Sequence, residues 1–413
     1  MHRRFFLILL FSSISLIAHN QSRNLDFYIQ EGLHNSPLLN ELRNQISSSH
    51  SDSLLIDAGR KPLVEAKSQL LYSPFYNNFG YDDVITDGGN YMGVVGVSQN
   101  IFNKRELNNK YNSIDLQKQL ADNSSKVSAS ELKKLITEQY LTALSGIRDY
   151  QFNKSFLELF VKENEIVKQF VKSGVCKQTD YLLLLVETQS QEIQVTQLKS
   201  QSRQDLSTLN RLCGLTDTTS YDLDEPILSV NGKADISKLP SYLKFDIDSL
   251  RIENEKTAID IRYQPKVSWF ADAGFLTSNP WNFYKHFGYS VGIGLNIPIY
   301  DGSQKSIERG KLKFEENSRS GYKDNFRNQY FQQIQQLKEE IKSLNETSVQ
   351  LNKQLATSDE LVKALKDQLE AGIIQMTEYI TALKNLKSIG RNINLVSIQK
   401  LQVTNEINFL LTQ

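Results

Sequence analysis

The sequence has few of the residues that interrupt helices or that build catalytic sites. Its 413 residues include 8 prolines, and none falls between Pro74 and Pro226 or after Pro298. Proline inside a helix removes a hydrogen bond and clashes with the preceding turn, so these stretches allow very long helices. The 5 histidines are scattered, which gives no metal cluster or catalytic dyad, and no P-loop is present. We therefore expect no enzyme activity, no cofactor and no metal site.

The chain also lacks an excess of charge of either sign. It has 47 Lys and Arg residues against 47 Asp and Glu residues. A nucleic-acid partner needs a basic patch or stripe, so this balance argues against one. Its 2 cysteines, Cys176 and Cys213, fall at opposite ends of a predicted helix. At ~1.5 Å per residue they lie roughly 55 Å apart, so we expect two free thiols.

Long hydrophobic runs are missing as well. No stretch after the N-terminus approaches the ~18 apolar residues of a membrane-spanning helix. At the N-terminus, Arg3 and Arg4 precede a short apolar run that begins at Phe5. This pattern predicts a secretory signal peptide over residues 1–20. An exported chain without such helices can insert into a membrane only through strands.

An internal repeat with a shift of 198 positions organises the rest of the chain. Gly174, Thr179 and Asp180 in the first copy match Gly372, Thr377 and Glu378 in the second. Similar matches occur in the segments on either side, so the repeat is a duplicated domain half. We predict a first repeat over 21–215, a linker or small equatorial segment over 216–239, and a second repeat over 240–413.

Each repeat contains a predicted pair of strands. From Tyr289 to Tyr300 apolar residues alternate strictly with small or polar ones, and the partner strand runs from Lys266 to Phe275. The first repeat shows weaker alternation over 64–72 and 91–102. Strands of about 10 residues with one apolar face, after a signal peptide, are typical of outer-membrane barrels. Four strands cannot close a barrel, so strands in lipid would have to be shared between subunits.

Each strand pair is followed by a predicted helical hairpin. Apolar residues repeat at alternating spacings of 3 and 4 in the long tracts 103–172 and from 331 onward, which indicates coiled-coil packing. Glycine is favoured just after a helix, so Gly174 and Gly372 predict the turns, with Thr179 and Thr377 as caps of the returning helices. Two shorter helices, Pro37–Arg60 and Pro240–Arg262, precede the strand pairs and would cover the remaining length of the long helices.

At this point the sequence resembles the TolC-like outer membrane efflux protein family. The segment that carries most of the likeness runs from Leu295 to Ser303 and contains a strand-to-helix motif: Pro298, Tyr300, Asp301 and Gly302. The tip segments, the run Asn210–Leu215 and the run Asn35–Pro37 add to it. The first repeat has Asn100-Ile-Phe-Asn103 where the second has Pro298-Ile-Tyr-Asp301, so its copy of the motif is degenerate.

The resemblance implies a fold, an assembly and partners. The fold is an α+β membrane protein with long antiparallel coiled-coil hairpins (an α-barrel) and four transmembrane β-strands per chain. Three chains would share a twelve-stranded β-barrel. The family implies a Gram-negative outer-membrane exit duct with a large periplasmic portion, for efflux or type I secretion. Its implied partners are a periplasmic adaptor (membrane fusion protein), an inner-membrane RND, ABC or MFS transporter, and outer-membrane lipid.

The resemblance also implies roles for residues at the hairpin turns. Acidic side chains near the inner tip narrow the periplasmic entrance in the family, which matches Glu378 in this sequence, with Asp180 as its counterpart in the first repeat. A second acid of the family falls on Thr381, so a double acidic ring is not expected. Gly174, Thr179, Gly372 and Thr377 would contact the adaptor. A different class remains open, in which the chain is a soluble periplasmic coiled-coil adaptor or scaffold.

Overall fold

The computed structural model describes residues 23–412 except 75, 77–78, 81–87, 218–221, 231 and 233–234. The predicted signal peptide and part of the first strand-to-strand loop therefore lie outside the described residues. This part of the chain contains seven helices and four strands, which are, from the N-terminus, α1 (Leu25–Asn35), α2 (Pro37–Gly59), β1 (Leu63–Tyr72), β2 (Gly89–Ile101), α3 (Lys104–Lys172), α4 (Gln178–Leu212), α5 (Pro240–Arg262), β3 (Lys266–Thr277), β4 (Phe287–Asn296), α6 (Gln304–Glu370) and α7 (Met376–Thr412).

The order of elements repeats. A helix, two strands and two long helices occur in α2-β1-β2-α3-α4 and again in α5-β3-β4-α6-α7. The chain divides into two compact units, and each contains parts of both repeats. We call Pro37–Ser128 with Ala234–Gln332 the sheet unit, and Ala129–Lys233 with Gln333–Thr412 and the segment up to Ser36 the helical unit.

The sheet unit holds one antiparallel sheet with the strand order β1-β2-β3-β4. Its register places Val64 opposite Val97, Val97 opposite Ala271, and Ala271 opposite Val291. Because successive side chains point to opposite faces, the apolar positions predicted for the four strands share one face, while Leu63, Val94 and Phe270 lie on the other. The other face carries mainly small and polar residues, among them Asp272, which accepts a hydrogen bond from the Ser290 hydroxyl at 2.8 Å. The predicted separation into an apolar and a polar face is confirmed.

Helix α5 packs between α3 and α6 in the sheet unit. Asn109 of α3 donates to the Asn254 carbonyl oxygen at 2.7 Å. On its other side α5 meets α6 through a cluster of Ile252, Ile259 and Leu312. Prolines begin both α2 and α5, where a missing N–H costs nothing, and this agrees with the predicted starts at Pro37 and Pro240.

The helical unit has its core where α1 meets α3 and α4. Tyr28 and Tyr140 are fully buried, and their rings meet edge to face with centroids 5.8 Å apart. The Tyr140 hydroxyl donates to the Asp224 carbonyl oxygen at 2.6 Å, which fixes the segment after α4 to the core. This segment contains the short 3-10 helix Ile236–Lys238 and a bridge between Arg23 and Leu223, in line with the turn and short-strand signals predicted for 216–239.

The helices predicted at Pro37–Arg60, Pro240–Arg262 and 103–172 agree with the structure to within one residue at each end, whereas α6 begins at Gln304, well before the tract predicted from residue 331. The nine apolar seam positions predicted along α6 are all buried or half-buried: Ile334, Leu337, Ile341, Leu344, Leu351, Leu355, Val362, Leu365 and Leu369. Both cysteines are free, as expected, and Cys213 is buried against α1. Across the described residues, no helix is both long enough and apolar enough to cross a bilayer.

The end of β4 was predicted wrongly. Alternation in the sequence continues to Tyr300, but β4 ends at Asn296. Asn296 pairs with Lys266, the first residue of β3, so the following residues have no neighbouring strand to bond with. Pro298 also lacks an N–H to donate. The segment from Ile297 onward is therefore an extended connection to α6.

Candidate functional site at the hairpin turns

Both predicted hairpin turns are present and have the same backbone geometry. Gly174 and Gly372 have φ values of 79° and 69°, in the left-handed region that favours glycine. After α3, Val175 N–H donates to Phe170 O at 2.9 Å and Gly174 N–H to Val171 O at 3.2 Å. After α6, Ile373 and Gly372 repeat these two bonds at 2.9 and 3.0 Å. This is the Schellman ending of a helix, in which glycine lets the chain reverse while the last carbonyls remain bonded.

The predicted caps at Thr179 and Thr377 are wrong. Helix α4 begins at Gln178 and α7 at Met376, so both threonines lie inside the first helical turn and are exposed. In the first copy, the capping contact comes from Asp180, whose carboxylate accepts a hydrogen bond from Lys177 N–H at 3.0 Å. An acid at this position satisfies a free N–H and interacts favourably with the helix dipole. The threonines were misassigned because the helices begin earlier than the pattern suggested.

The two acidic residues of the repeat therefore have different surroundings. Asp180 is half-buried and bonded to its own helix start, whereas Glu378 is exposed in the first turn of α7. The tyrosines that follow them also differ, since Tyr379 is 1% exposed and Tyr181 is half-buried. Burial raises the pKa of the nearby Cys176 thiol, with a further contribution from Asp180, so this thiol stays protonated at neutral pH. Only Glu378 of the pair presents a free carboxylate surface.

Behind the turns, the ends of the two hairpins pack into one hydrophobic cluster. All four long helices contribute to it, with Phe160 and Val167 from α3, Leu184 from α4, Leu369 from α6, and Met376, Tyr379, Ile380 and Leu383 from α7. Buried side chains of this size each stabilise packing by about 1.5–3 kcal/mol. The cluster brings the sequence-predicted tips together, which the repeat pattern alone did not require.

A buried charged group at this cluster was not found from the sequence. Glu163 of α3 is 3% exposed, and Lys366 Nζ of α6 lies 2.7 Å from its Oε1. The buried Tyr379 side chain of α7 lies beside the same carboxylate. Burial is the main cause, and Glu163 a further one, of a strongly raised Tyr379 pKa, so the phenol remains a hydrogen-bond donor. Three helices from both hairpins thus converge on one carboxylate.

Further along the hairpins, lysines of α7 reach α4. Lys384 Nζ lies 3.0 Å from Glu187 Oε1, and this pair is partly exposed. Lys387 Nζ donates to the Gln191 and Gln194 side-chain oxygens at 2.6 and 2.7 Å. Burial, followed by the charges of Arg391 and Lys384, lowers the Lys387 pKa. These contacts tie α7 of the second repeat to α4 of the first by polar bonds.

The predicted strand-to-helix motif forms the start of α6 in the sheet unit. Asp301 accepts hydrogen bonds from Ser303 N–H at 3.0 Å and Lys305 N–H at 2.9 Å. Gly302 and Ser303 both have positive φ, 61° and 69°. Tyr300 is 88% exposed, and Pro298 sits in the extended connection. In the degenerate first copy, Asn103 caps α3 in the same way by accepting from Glu106 N–H at 2.7 Å. The motif therefore has a local structural role in redirecting the chain.

The side chains at these sites make structural contacts. Among the described residues, no group of three His, Cys, Asp or Glu side chains could hold a metal ion. The polar contacts near the tips are ion pairs, helix caps and hydrogen bonds to side-chain amides. Such an arrangement can hold helices together, or release them, and can present charge to a passing solute.

Comparison with solved structures identifies the architecture. The chain aligns with the outer-membrane channel OprN over 94% of its own length and 89% of that chain, with a TM-score of 0.76 and 13% sequence identity. The chain has the TolC-like fold. The outer membrane protein VceC of Vibrio cholerae gives a TM-score of 0.74 at 11% identity over 94% of this chain and 95% of that one. The CmeC outer membrane channel of Campylobacter jejuni gives 0.73 at 11% identity over 94% and 86%.

The TolC-like resemblance inferred from the sequence is thus confirmed for the fold over nearly the whole described chain. No family model matches the sequence, and no curated protein matches it either. At identities this low the similarity concerns the fold, and function must be argued from the features of this chain.

Proposed function

We propose that this chain is one subunit of an outer-membrane exit duct for efflux or secretion in a Gram-negative bacterium. The solved structures that it resembles are outer-membrane channels rather than enzymes. The TolC-like fold extends over 94% of the chain and 89% of the OprN chain. A large periplasmic portion would be formed by the long helices.

The single observation that carries this proposal is the exposed apolar face of the sheet. Along β4 the side chains of Tyr289, Val291, Ile293 and Leu295 are 87%, 75%, 78% and 63% exposed. A soluble protein seldom exposes a contiguous apolar surface of this size. Lipid would cover it, and strands of 10 to 13 residues match the length needed to cross a bilayer when tilted.

The edges of the same sheet require a second copy of the chain. In the order β1-β2-β3-β4, both β1 and β4 have one edge without a partner strand. Unpaired backbone groups in lipid cost several kcal/mol each, so β1 must pair with β4 of another subunit. In a homotrimer with a shared twelve-stranded barrel, every strand has a hydrogen-bonded neighbour on both sides.

The duct would need partners that supply energy and substrate. We propose a periplasmic adaptor that contacts the turns at Gly174 and Gly372, and an inner-membrane RND, ABC or MFS transporter. The exposed threonines Thr179 and Thr377 lie on the same turns and are available to such a partner.

The alternative is a soluble periplasmic adaptor or scaffold in which another protein covers the sheet. Membrane fractionation followed by detergent extraction separates the two. We expect the protein in the outer-membrane fraction, three chains per particle by light scattering in detergent, and ion conductance after reconstitution in planar bilayers. Recovery in the soluble periplasm without detergent would contradict the duct.

Glu378 is the residue we propose to set the ion preference of the periplasmic mouth. Three exposed carboxylates around one opening would attract cations and repel anions. We expect Glu378→Gln to lower the cation preference in reversal-potential measurements. Asp180→Asn is the matched comparison, because that side chain is bonded to Lys177 N–H and the amide oxygen can still accept this bond, so we expect little change in ion selectivity. Equal ion selectivity in wild type and Glu378→Gln would exclude this role.

A further inference from the structure

The repeat provides a way to predict which surfaces of the helical unit meet a second copy. Within the chain, α7 of the second repeat packs along α3 of the first. Asn405 Nδ2 donates to Lys134 O at 3.2 Å, and Glu406 forms an ion pair with Lys134. Nearby, Leu401 packs against a buried cluster of Leu141, Leu144 and Ile398. This is an interface between one repeat and the next.

The equivalent surfaces in the other repeat, on α4 and α6, are exposed to solvent. A shift of 198 positions carries the α7 face onto α4, where Ile398, Leu401 and Asn405 become Ser200, Arg203 and Ser207. The same shift carries the α3 face onto α6, where Leu141 and Leu144 become Glu339 and Lys342. All five of these replacing residues are exposed. If a second copy continues the packing between repeats, its α6 must lie against this α4.

The α4 face is basic, and the α6 face offers it acids to pair with. A shallow groove of about 690 Å³ runs along α4 and is lined by three cations, Lys199, Arg203 and Arg211, with hydroxyl and amide residues and no acid. The α6 face carries charges of both signs, with the exposed acids Glu339, Glu340 and Glu346 beside the exposed cations Lys338 and Lys342. Arg203 makes no ion pair within the part of the chain that the structure describes. After the shift Arg203 lies beside Glu339 and Lys342, and Glu339 is the one of the two with which it can form an ion pair.

We propose that α4 of one copy packs against α6 of a second copy through a polar seam centred on an Arg203–Glu339 ion pair. This proposal rests on the association of subunits in the proposed function. It adds which helices of the helical unit meet and which residues face each other. The intramolecular counterpart of the pair is the packing of Leu401 against the cluster that contains Leu141. An apolar patch at α4 would be exposed to water before assembly and would favour aggregation. Charged side chains keep the unassembled subunit soluble, increase the rate of association and disfavour a wrong register. The contact is head to tail, so repeated use closes a ring.

Disulfide trapping tests the register directly. We would combine Arg203→Cys with Glu339→Cys in a Cys176→Ser background, leaving the buried Cys213, and oxidise the detergent-solubilised protein with copper phenanthroline. Facing positions within disulfide reach should give covalent dimers and trimers on a non-reducing gel, and each single cysteine variant should remain monomeric there. A particle of three chains without these products would overturn the register. A monomeric wild-type protein would instead overturn the proposed duct.

Charge exchange tests the ion pair itself. Arg203→Glu and Glu339→Arg should each increase dissociation of the trimer on the order of tenfold, because like charges then face each other, and the double variant should recover most of the loss. Lys154→Glu, an exposed change of the same size on α3, is the control and should have little effect. Failure of the double variant to recover would show that a different surface, or a different protein, covers the α4 groove.

Discussion

Replacing Gly274 with alanine is expected to separate β2 from β3. A Cβ atom at this position would lie 2.1 Å from Gly93 O and 2.6 Å from Val94 Cα. Both atoms belong to the backbone of the neighbouring strand and cannot rotate away as a side chain would. Overpacking costs about 1–3 kcal/mol where neighbours can adjust, so a clash with fixed backbone should reach the upper end of that range or exceed it.

The sheet offers a matched control for this change. Gly288 lies directly opposite Gly274 in the β3–β4 register, and a Cβ there meets nothing within 4 Å. We expect Gly288→Ala to assemble normally, while Gly274→Ala should greatly reduce the protein recovered in the outer membrane and lower the midpoint of thermal unfolding in detergent. Similar recovery of the two variants would mean that the strands do not approach each other this closely.

The sequence predicted the long elements well because each carries many repeats of its own pattern. Helix α6 shows nine apolar seam positions, with Ser348 and Ser358 completing the spacing of 3 and 4, and its ends follow from Gly302 and Gly372. The end of β4 could not be found this way, since alternation continues past Asn296 and only the length of β3 ends the pairing.

The candidate site was predicted less completely. Glycine at a hairpin turn is a local requirement and could be read directly from Gly174 and Gly372. The Thr179 and Thr377 caps failed because several residues near a turn can begin a helix, and the choice depends on packing. Glu163 was missed because its partner Lys366 lies 203 positions away. The only signal was a carboxylate between the apolar positions Phe160 and Val167, where a solvated side chain was not expected.

The second large effect should come from that buried carboxylate. In Lys366→Met, the Glu163 carboxylate stays buried beside Tyr379 but no longer has a cation next to it. Removal of one partner from a buried pair costs roughly 3–5 kcal/mol, and the partial exposure of Lys366 places this case near or below the lower limit. We expect the hairpin ends to open more often, seen as a loss of about 2–3 kcal/mol of local stability in hydrogen exchange of the tip cluster.

Two further variants distinguish an unpaired charge from a simple loss of contact. Lys384→Met removes the more exposed pair with Glu187 and should cost less than about 1 kcal/mol. Adding Glu163→Gln to Lys366→Met should recover most of the stability, because no buried charge then remains. If the double variant were as unstable as Lys366→Met alone, the packing of the lysine stem rather than the charge of Glu163 would hold the two hairpins together.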